Sequence, residues 1–408
     1  MQDTPKGGRL HIAIFGRRNA GKSSLINALT NQDIALVSEV AGTTTDPVYK
    51  AMEILPLGPV MIIDTAGIDD IGELGLLRVQ KTMQVLNKTD LAIVVIDPFC
   101  GIGEYEKSLA RDISERKIPL VWVQNKADIM QAKPEDLAAW GEALGEQILV
   151  LSAKNGQGIE ELKQLLIKKA PDNWEGPPVI GDLISPGDVV MLVVPIDLAA
   201  PKGRLILPQV QTIRDVLDHD GYSIVVKERE LKDALSNLKR PPKLVVTDSQ
   251  EFMKVAADTP DSVLLTSFSI LMARYKGDLE SLVAGAKAVE GLKPGDKILV
   301  AEGCTHHALA DDIGRVKIPR WLRQEVGGEL EFTWVSGGDF PRDLTPFKLI
   351  IHCGACMLNR KEMLYRVAES RRQGVPIVNY GVLIAYLNGI LYRVLTPFPA
   401  AQILLEEE

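Results

Sequence analysis

The chain has 408 residues, more than one hydrophobic core usually organises, so we expect two or three domains. Hydrophobic residues make up 46% of it and charged residues 25%, which is ordinary globular usage and argues against long disordered segments. The formal net charge of −8 argues against nucleic acid as the main partner, because such a surface must neutralise phosphates with Lys and Arg.

We also expect a cytoplasmic protein with no membrane partner. The sequence has no apolar stretch of about 18 residues, and its first residues lack the layout of a signal peptide. Four cysteines are too few for a disulfide scaffold in a chain of this length. Cys100 stands alone and is expected to be an ordinary core or loop residue.

The first 172 residues alternate short apolar runs with helical patterns, and they are predicted to form one domain. The predicted helices include 22–30 and 74–88, and the predicted strands are 9–16, 60–67, 91–97, 119–126 and 147–153. Continuous apolar strands separated by helices predict a doubly wound, mainly parallel sheet.

A Gly- and Pro-rich stretch at 172–188 predicts a boundary after this domain. Two smaller α/β domains are predicted beyond it, at 173–262 and 263–408. Their predicted strands are 189–197, 222–228, 243–248, 296–304, 348–356 and 375–381. The predicted fold class is therefore α/β, with three domains.

Residues 16–23 fit the phosphate-binding pattern G-x-x-x-x-G-K-S, between a predicted strand and a predicted helix. In such a P-loop, backbone N–H groups surround phosphate oxygens and the following helix adds its dipole. Lys22 would neutralise the β- and γ-phosphates, and the Ser23 hydroxyl would bind Mg²⁺. The residues expected to contact the nucleotide here are Gly16, Asn19, Ala20, Gly21, Lys22, Ser23 and Ser24.

Four further elements follow in the order typical of a GTPase. Asp64 can hold the Mg²⁺ shell and the Gly67 amide can face the γ-phosphate, while a Thr hydroxyl in the loop 42–46 can complete the Mg²⁺ ligands. A carboxylate at the end of the 119–126 strand can accept both N–H groups of guanine. The residues expected around the base are Asn125, Lys126, Asp128, Ser152, Ala153 and Lys154.

With these motifs, residues 9–170 resemble the translation-factor-like GTPases of the Era, EngA and MnmE group. The resemblance implies GTP and GDP as ligands and Thr44 as the Mg²⁺ ligand of the first switch. Ile68 follows the Asp64–Gly67 motif where Ras-type enzymes carry Gln, so we expect slow hydrolysis. Some relatives bind K⁺ through a P-loop Asn, which Asn19 matches; its alternative role is that of a turn-forming residue.

The other cysteines fall in two C-terminal segments that form the pattern C-x-H…H-C-x-x-C, with members Cys304, His306, His352, Cys353 and Cys356. Each segment follows a predicted strand, so the two can converge if those strands are neighbours in a sheet. Three interpretations remain open from the residues: a structural zinc site, a redox-active C-x-x-C pair, and an iron–sulfur cluster with three thiolate ligands.

The GTPase motifs followed by this Cys/His pattern resemble the HydF family of [FeFe]-hydrogenase maturation GTPases over essentially the whole chain. That resemblance implies a dimerisation domain in the middle and a 4Fe–4S cluster on Cys304, Cys353 and Cys356, with His306 and His352 as further motif members that are also considered as ligands. His307 is expected to be a bystander. It further implies a homodimer or larger oligomer, and a scaffold that passes a diiron precursor from the radical-SAM maturases HydE and HydG to the hydrogenase.

Overall fold

The computed structural model describes residues 4–30, 47–65, 73–172, 174, 176–196, 202–303 and 312–406. The chain forms two compact units that divide between residues 175 and 176, within the stretch predicted to be a boundary. Among the described residues, no helix is both long enough and apolar enough to span a lipid bilayer.

The described residues of the first unit form six strands and five α-helices. The strands are β1 (Leu10–Gly16), β2 (Val48–Ile54), β3 (Gly58–Asp64), β4 (Leu91–Ile96), β5 (Leu120–Gln124) and β6 (Ile148–Val150). The helices are α1 (Lys22–Thr30), α2 (Glu73–Leu86), α3 (Glu104–Glu115), α4 (Pro134–Leu144) and α5 (Ile159–Lys169). The strands form one sheet in the order β2-β3-β1-β4-β5-β6, in which only β2 runs antiparallel to its neighbour.

Burial on both faces of this sheet explains the continuous apolar strands. Every residue of β1 is buried; Ile12 and Ile14 belong to the core on one face, and Ala13 and Phe15 to the core on the other. A parallel sheet covered on both sides selects such runs, which confirms the predicted doubly wound sheet.

Strand β2 was not predicted, because it lacks a continuous apolar run. It lies at the edge of the sheet, where Val48 and Tyr49 are exposed and only Lys50 and Ile54 are buried. Its pairing with β3 places a lysine in the interior beside the end of β3, where Asp64 lies.

In the second unit, the part of the chain that the structure describes forms two parallel four-stranded sheets. Its strands are β7 (Val189–Val193), β8 (Tyr222–Val226), β9 (Leu244–Thr247), β10 (Leu264–Ser267), β11 (Lys297–Glu302), β12 (Glu331–Ser336), β13 (Leu349–His352) and β14 (Ile377–Asn379). The sheet orders are β10-β9-β7-β8 and β12-β11-β13-β14. These are the two further α/β domains predicted from the sequence.

The helices of this unit pack around a single apolar core to which both sheets contribute. They are α6 (Leu207–Asp218), α7 (Leu231–Ser236), α8 (Phe252–Asp258), α9 (Phe268–Lys276), α10 (Leu279–Lys287), α11 (Ile318–Val326), α12 (Arg360–Arg372), α13 (Tyr380–Leu387), α14 (Leu391–Val394) and α15 (Pro399–Ile403). Strand β10 pairs with β9, so the first of the two sheets extends past the boundary predicted after residue 262.

Candidate functional site

The P-loop joins β1 to α1 at the carboxyl edge of the first sheet. Gly16 and Gly21 have φ angles of +148° and +89°, a region that favours glycine. A Cβ on Gly16 would lie 2.5 Å from the Val95 carbonyl oxygen, and one on Gly21 would lie 2.3 Å from Asn125 Nδ2. Both glycines of the motif are therefore required by conformation and by space.

Lys22 is held against the loop that precedes it. Its ammonium donates hydrogen bonds to the carbonyl oxygens of Gly16, at 3.0 Å, and Arg17, at 2.8 Å, and only 7% of the residue is exposed. This arrangement fixes a positive charge at the loop, where the phosphates of a nucleotide bind in P-loop proteins.

Only part of the predicted Mg²⁺ site lies within the described residues. The Ser23 hydroxyl donates to Asp64 Oδ2 at 2.8 Å, so the two predicted ligands meet across β3 and α1. Burial raises the pKa of Asp64, and Ser23, Lys22 and Lys50 act against that rise. Thr44 and Gly67 lie outside the described residues.

Lys50 is a member of this site that the sequence did not reveal. Only 8% of the residue is exposed, and its ammonium has no hydrogen-bond partner within the described residues. Burial lowers its pKa and the nearby Asp64 raises it. A buried ammonium without a hydrogen-bond partner is costly, and the nearby Asp64 carboxylate offsets part of that cost.

The base side of the site is connected to the P-loop by Asn125. Its amide donates to the carbonyl oxygens of Ala20, at 3.2 Å, and Gly21, at 3.3 Å, and its Oδ1 accepts from the Ala153 amide at 3.0 Å. One side chain thus joins two of the predicted motifs to the P-loop.

A hydrogen bond from a buried hydroxyl fixes the orientation of the Asp128 carboxylate. Ser152 Oγ donates to Asp128 Oδ1 at 2.6 Å, and this bond lowers the pKa of the Asp128 carboxyl. Lys126 has a φ of +63° and forms an ion pair of 2.7 Å with Asp97.

These residues enclose a cavity of about 390 Å³, within the range of small-molecule sites. Its lining includes Asn19, Gly21, Lys22, Ser23, Ser24, Asn125, Lys126, Asp128, Ala153 and Lys154, all of which were predicted from the sequence.

A bidentate ion pair joins the P-loop to α3. Arg17 Nε and Nη2 donate to Glu106 Oε1 and Oε2 at 2.7 and 2.9 Å, and the Gly103 amide donates to Oε2 at 2.8 Å. Burial raises the pKa of Glu106, but these hydrogen bonds outweigh that effect and bring it below its usual value. Nothing in the sequence indicated this pair.

The C-terminal motif lies at the carboxyl edge of the last sheet. Strand β13, which leads to Cys353, is the parallel neighbour of β11, which leads to Cys304, as convergence of the two segments requires. Gly303, the residue before Cys304 in the sequence, donates its amide to Cys353 Sγ at 3.0 Å, and the Ala355 amide donates to the same sulfur at 3.4 Å.

Two backbone N–H groups in the described part of the motif are directed at one cysteine sulfur. Backbone N–H groups directed at cysteine sulfur are a recurring way of stabilising cluster thiolates. Cys356 is largely buried, which raises the pKa of its thiol, and the Lys276 ammonium opposes that rise. Cys304 and His306 lie outside the described residues, within which no group of three or more metal-ligating side chains occurs.

His352 has a structural role in this arrangement. It is fully buried, its Nδ1–H donates to the Cys353 carbonyl at 2.9 Å, and Arg366 Nη1 donates to its Nε2 at 3.0 Å. Burial and the Arg366 charge lower its pKa to about 3. In this conformation Nδ1 carries the hydrogen and the Nε2 lone pair accepts from Arg366. The ligand role considered for His352 stays a prediction.

The fold and this site define a P-loop GTPase domain. Residues 11–126 match the family model described as 50S ribosome-binding GTPase. Two further models, the hydrogen maturase F dimerization domain at residues 179–277 and the hydrogen maturase F tetramerization domain at residues 280–397, together cover more than half of the chain. The chain belongs to the HydF family.

Two of the curated relatives are tRNA modification GTPases that match part of the chain. The tRNA modification GTPase MnmE of Laribacter hongkongensis is 33% identical over 171 residues, which are 41% of this chain and 36% of that protein. MnmE of Desulfotalea psychrophila is 35% identical over 160 residues, which are 38% of this chain and 34% of that protein. The chain thus spans about a third of the length of these relatives.

The similar solved structures include Era from Aquifex aeolicus, with 19% identity and a TM-score of 0.36, over 61% of this chain and 99% of that one. A bacterial selenocysteine-specific elongation factor EF-Sec has 24% identity and a TM-score of 0.35, over 41% of this chain and 30% of that one.

Proposed function

We propose that this protein is a GTP-hydrolysing scaffold for [FeFe]-hydrogenase maturation. It binds a 4Fe–4S cluster through Cys304, Cys353 and Cys356. In the cytoplasm it receives a diiron precursor from the radical-SAM maturases HydE and HydG and delivers it to the hydrogenase. Its working form is a homodimer or larger oligomer, in keeping with the dimerization and tetramerization domains that its second unit matches.

The observation that carries this proposal is the neighbouring, parallel placement of β11 and β13. Their carboxyl ends meet at one edge of the sheet, so a Cys after each can serve one metal centre. The amides of Gly303 and Ala355 directed at Cys353 Sγ support a cluster over a bare C-x-x-C redox pair, which has no use for the neighbouring strand.

Three thiolates hold three irons of a 4Fe–4S cube and leave one iron with an exchangeable coordination position, which is the chemistry a carrier needs. The chain's own contribution is to fix those thiolates. The buried Arg366 donates to both His352 and Glu362, and His352 in turn holds the Cys353 carbonyl. This network keeps the end of β13 in one conformation.

In the GTPase unit, Lys22 stabilises the charge on the β- and γ-phosphates, and Ser23, Thr44 and Asp64 hold Mg²⁺. By the resemblance to such GTPases, the Gly67 amide would contact the γ-phosphate and Asp128 would accept the guanine N–H groups. Asn19 contributes to a K⁺ site that supplies the positive charge of an arginine finger. Its φ of +61° at the cavity wall is consistent with either a ligand or a turn-forming residue, so the salt dependence described below decides between them.

Anaerobic reconstitution with iron and sulfide tests the proposal. The full-length protein should become brown and retain iron and sulfide after gel filtration. Cys353→Ser should lose both and keep its GTP hydrolysis, because the two sites lie in separate compact units. Cys100→Ser is the matched control: Cys100 is an exposed free cysteine in the first unit, and its loss should change neither property. A colourless protein that retains stoichiometric zinc instead would refute the cluster assignment.

A further inference from the structure

The segment that follows β4 contacts the base side of the nucleotide cavity through one ion pair. Asp97, the residue after β4, accepts a hydrogen bond from the Lys126 ammonium at 2.7 Å, and the Asp97 side chain is only 9% exposed. Lys126 lines the cavity, whereas Asp97 is not among the described residues that line it. Any influence of Asp97 on a bound nucleotide therefore passes through Lys126.

The Asp97 carboxylate is itself held in place by a tight turn. Its Oδ1 accepts from the Phe99 amide at 3.0 Å, and its carbonyl oxygen accepts from the amides of Cys100, at 3.1 Å, and Gly101, at 2.9 Å. Gly101 has a φ of +60°, which favours glycine at this position of the turn. The turn fixes the carboxylate with its other oxygen, Oδ2, directed at Lys126.

The same segment is also joined to the P-loop, at its far end. Glu106 accepts both hydrogen bonds of the Arg17 guanidinium and one from the Gly103 amide. Residues 97–106 thus contact the P-loop at one end and the base side of the site at the other. The position of Asp97 relative to the cavity is therefore set by two separate sets of contacts.

Lys126 has a long side chain that needs such a partner to stay in one conformation. The ring centroid of Phe99 lies 5.8 Å from its ammonium, near the limit of a cation–π contact, and Phe99 is 61% exposed, so this contact is weaker than the ion pair. Fixing a free lysine side chain costs conformational entropy. A side chain that is already fixed before the nucleotide binds does not add that cost to binding.

We infer that Asp97, assisted by Phe99, is a positioning residue that keeps Lys126 in the conformation that holds the guanine base, and so slows dissociation of the nucleotide. The inference rests on the nucleotide site of the proposed function and is independent of its cluster. Only molecules with Lys126 in the binding conformation are competent to bind. Releasing Lys126 therefore weakens the apparent affinity in proportion to the competent fraction that is lost.

The experiment measures dissociation of a fluorescent GDP analogue from the full-length protein by stopped flow, with unlabelled GDP in excess. Asp97→Asn keeps an acceptor for the Phe99 amide and removes the charge. It should accelerate dissociation about tenfold, as expected for the loss of a hydrogen bond between charged groups. The KM for GTP should rise by a similar factor, while the single-turnover rate of hydrolysis of bound GTP should stay within about twofold of wild type.

The matched control is Asp112→Asn. Asp112 forms a partly exposed ion pair with Arg116 on α3, at 3.8 Å, and neither residue is among the described residues that line the cavity. The same change of acid to amide should therefore leave the dissociation rate, the KM and the single-turnover rate at their wild-type values.

A double-mutant cycle separates positioning of Lys126 from a purely structural role in the turn. In a Lys126→Met background, Asp97→Asn should have no further effect on dissociation, because its effect passes through the lysine. Additive effects of the two changes would overturn the inference. Phe99→Leu removes only the exposed ring and should accelerate dissociation about threefold.

A folded Asp97→Asn protein that releases GDP at the wild-type rate would overturn the inference. Slower release would also overturn it, since the ion pair would then withhold Lys126 from the nucleotide. If Asp97→Asn does not fold, Phe99→Leu decides, and an unchanged rate for that variant overturns the inference. A wild-type protein that binds no GDP would refute the proposed nucleotide site instead, so the two failures are distinguishable.

Discussion

The ion pair between Arg17 and Glu106 gives a quantitative test of how the P-loop is held. Glu106 is 1% exposed at its side chain and accepts three hydrogen bonds, two of them from Arg17 of the P-loop. Lys22 in turn donates to the Arg17 carbonyl. Glu106→Gln keeps the shape of the side chain but removes its charge and replaces one acceptor with a donor that faces the other donors.

The cost can be worked out from these contacts. Losing one partner of a buried ion pair typically costs about 3–5 kcal/mol, because the other charge is left uncompensated. Arg17 is 29% exposed at its side chain, so water partly solvates it and the cost should be lower. We expect about 2–3 kcal/mol, close to the loss of one or two charge-assisted hydrogen bonds. For a unit of 175 residues this corresponds to about 5–10 °C in Tm.

The assay is scanning calorimetry of the full chain at pH 7. The transition of the GTPase unit is identified as the one that GDP raises, since a ligand stabilises only the unit that binds it. Glu104→Gln is the matched control on the same helix: Glu104 is 84% exposed, and its pair with Lys107 should contribute little. The reasoning is refuted if the free energy of unfolding of the GTPase unit in Glu106→Gln stays within about 0.5 kcal/mol of the wild-type value.

The pH dependence has a definite sign. The folded pKa of Glu106 lies below its ordinary value, so the stabilisation is fully present above the unfolded pKa of about 4.3 and is lost as pH falls through the folded pKa. The difference in free energy of unfolding between wild type and Glu106→Gln should therefore be constant from pH 6 to 8 and should become smaller in acid.

Two further predictions concern the nucleotide site. Asp128→Asn should reverse the preference from guanosine to xanthosine nucleotides, because the amide presents donors where the carboxylate accepts. We expect the relative affinity for the two nucleotides to change by a factor on the order of 10⁴, measured by competition against labelled GDP. Asp136→Asn, at an exposed position, is the control. The rate of GTP hydrolysis should be at least about tenfold higher in K⁺ than in Na⁺, and Asn19→Ala should abolish that difference. Equal wild-type rates in both salts would mean that Asn19 is a turn-forming residue only.

Much of the fold was predictable because its strands are buried on both faces. The runs that became β1, β3, β4, β5 and β6 are mostly apolar, and the motif residues lie at the carboxyl ends of β1, β3, β5 and β6. Strand β2 was missed because it lies at an edge and alternates irregularly. Strand β10 was also missed, because only its first two residues, Leu264 and Leu265, are apolar.

The nucleotide site was predictable as a set of motifs but not as a network. Asn125 meets the P-loop over a separation of 105 residues, and Arg17 meets Glu106 over 89. Lys276 reaches the segment after Cys356 over 82 residues. Such contacts depend on the folded chain, and no local pattern marks the buried lysines at positions 50 and 276. His352, which the motif suggested as a ligand, accepts a hydrogen bond from Arg366 over a separation of 14 residues, and no local pattern marks that contact either.

The central claim is that Cys304, Cys353 and Cys356 share one cluster with an exchangeable iron. Mössbauer spectroscopy of protein reconstituted with ⁵⁷Fe, with and without an added small thiol, tests it most directly. We expect the spectrum of a 4Fe–4S cluster in which one iron of the four responds to the thiol. A cluster in which no iron responds, or a protein that holds no iron–sulfur cluster, would contradict the account.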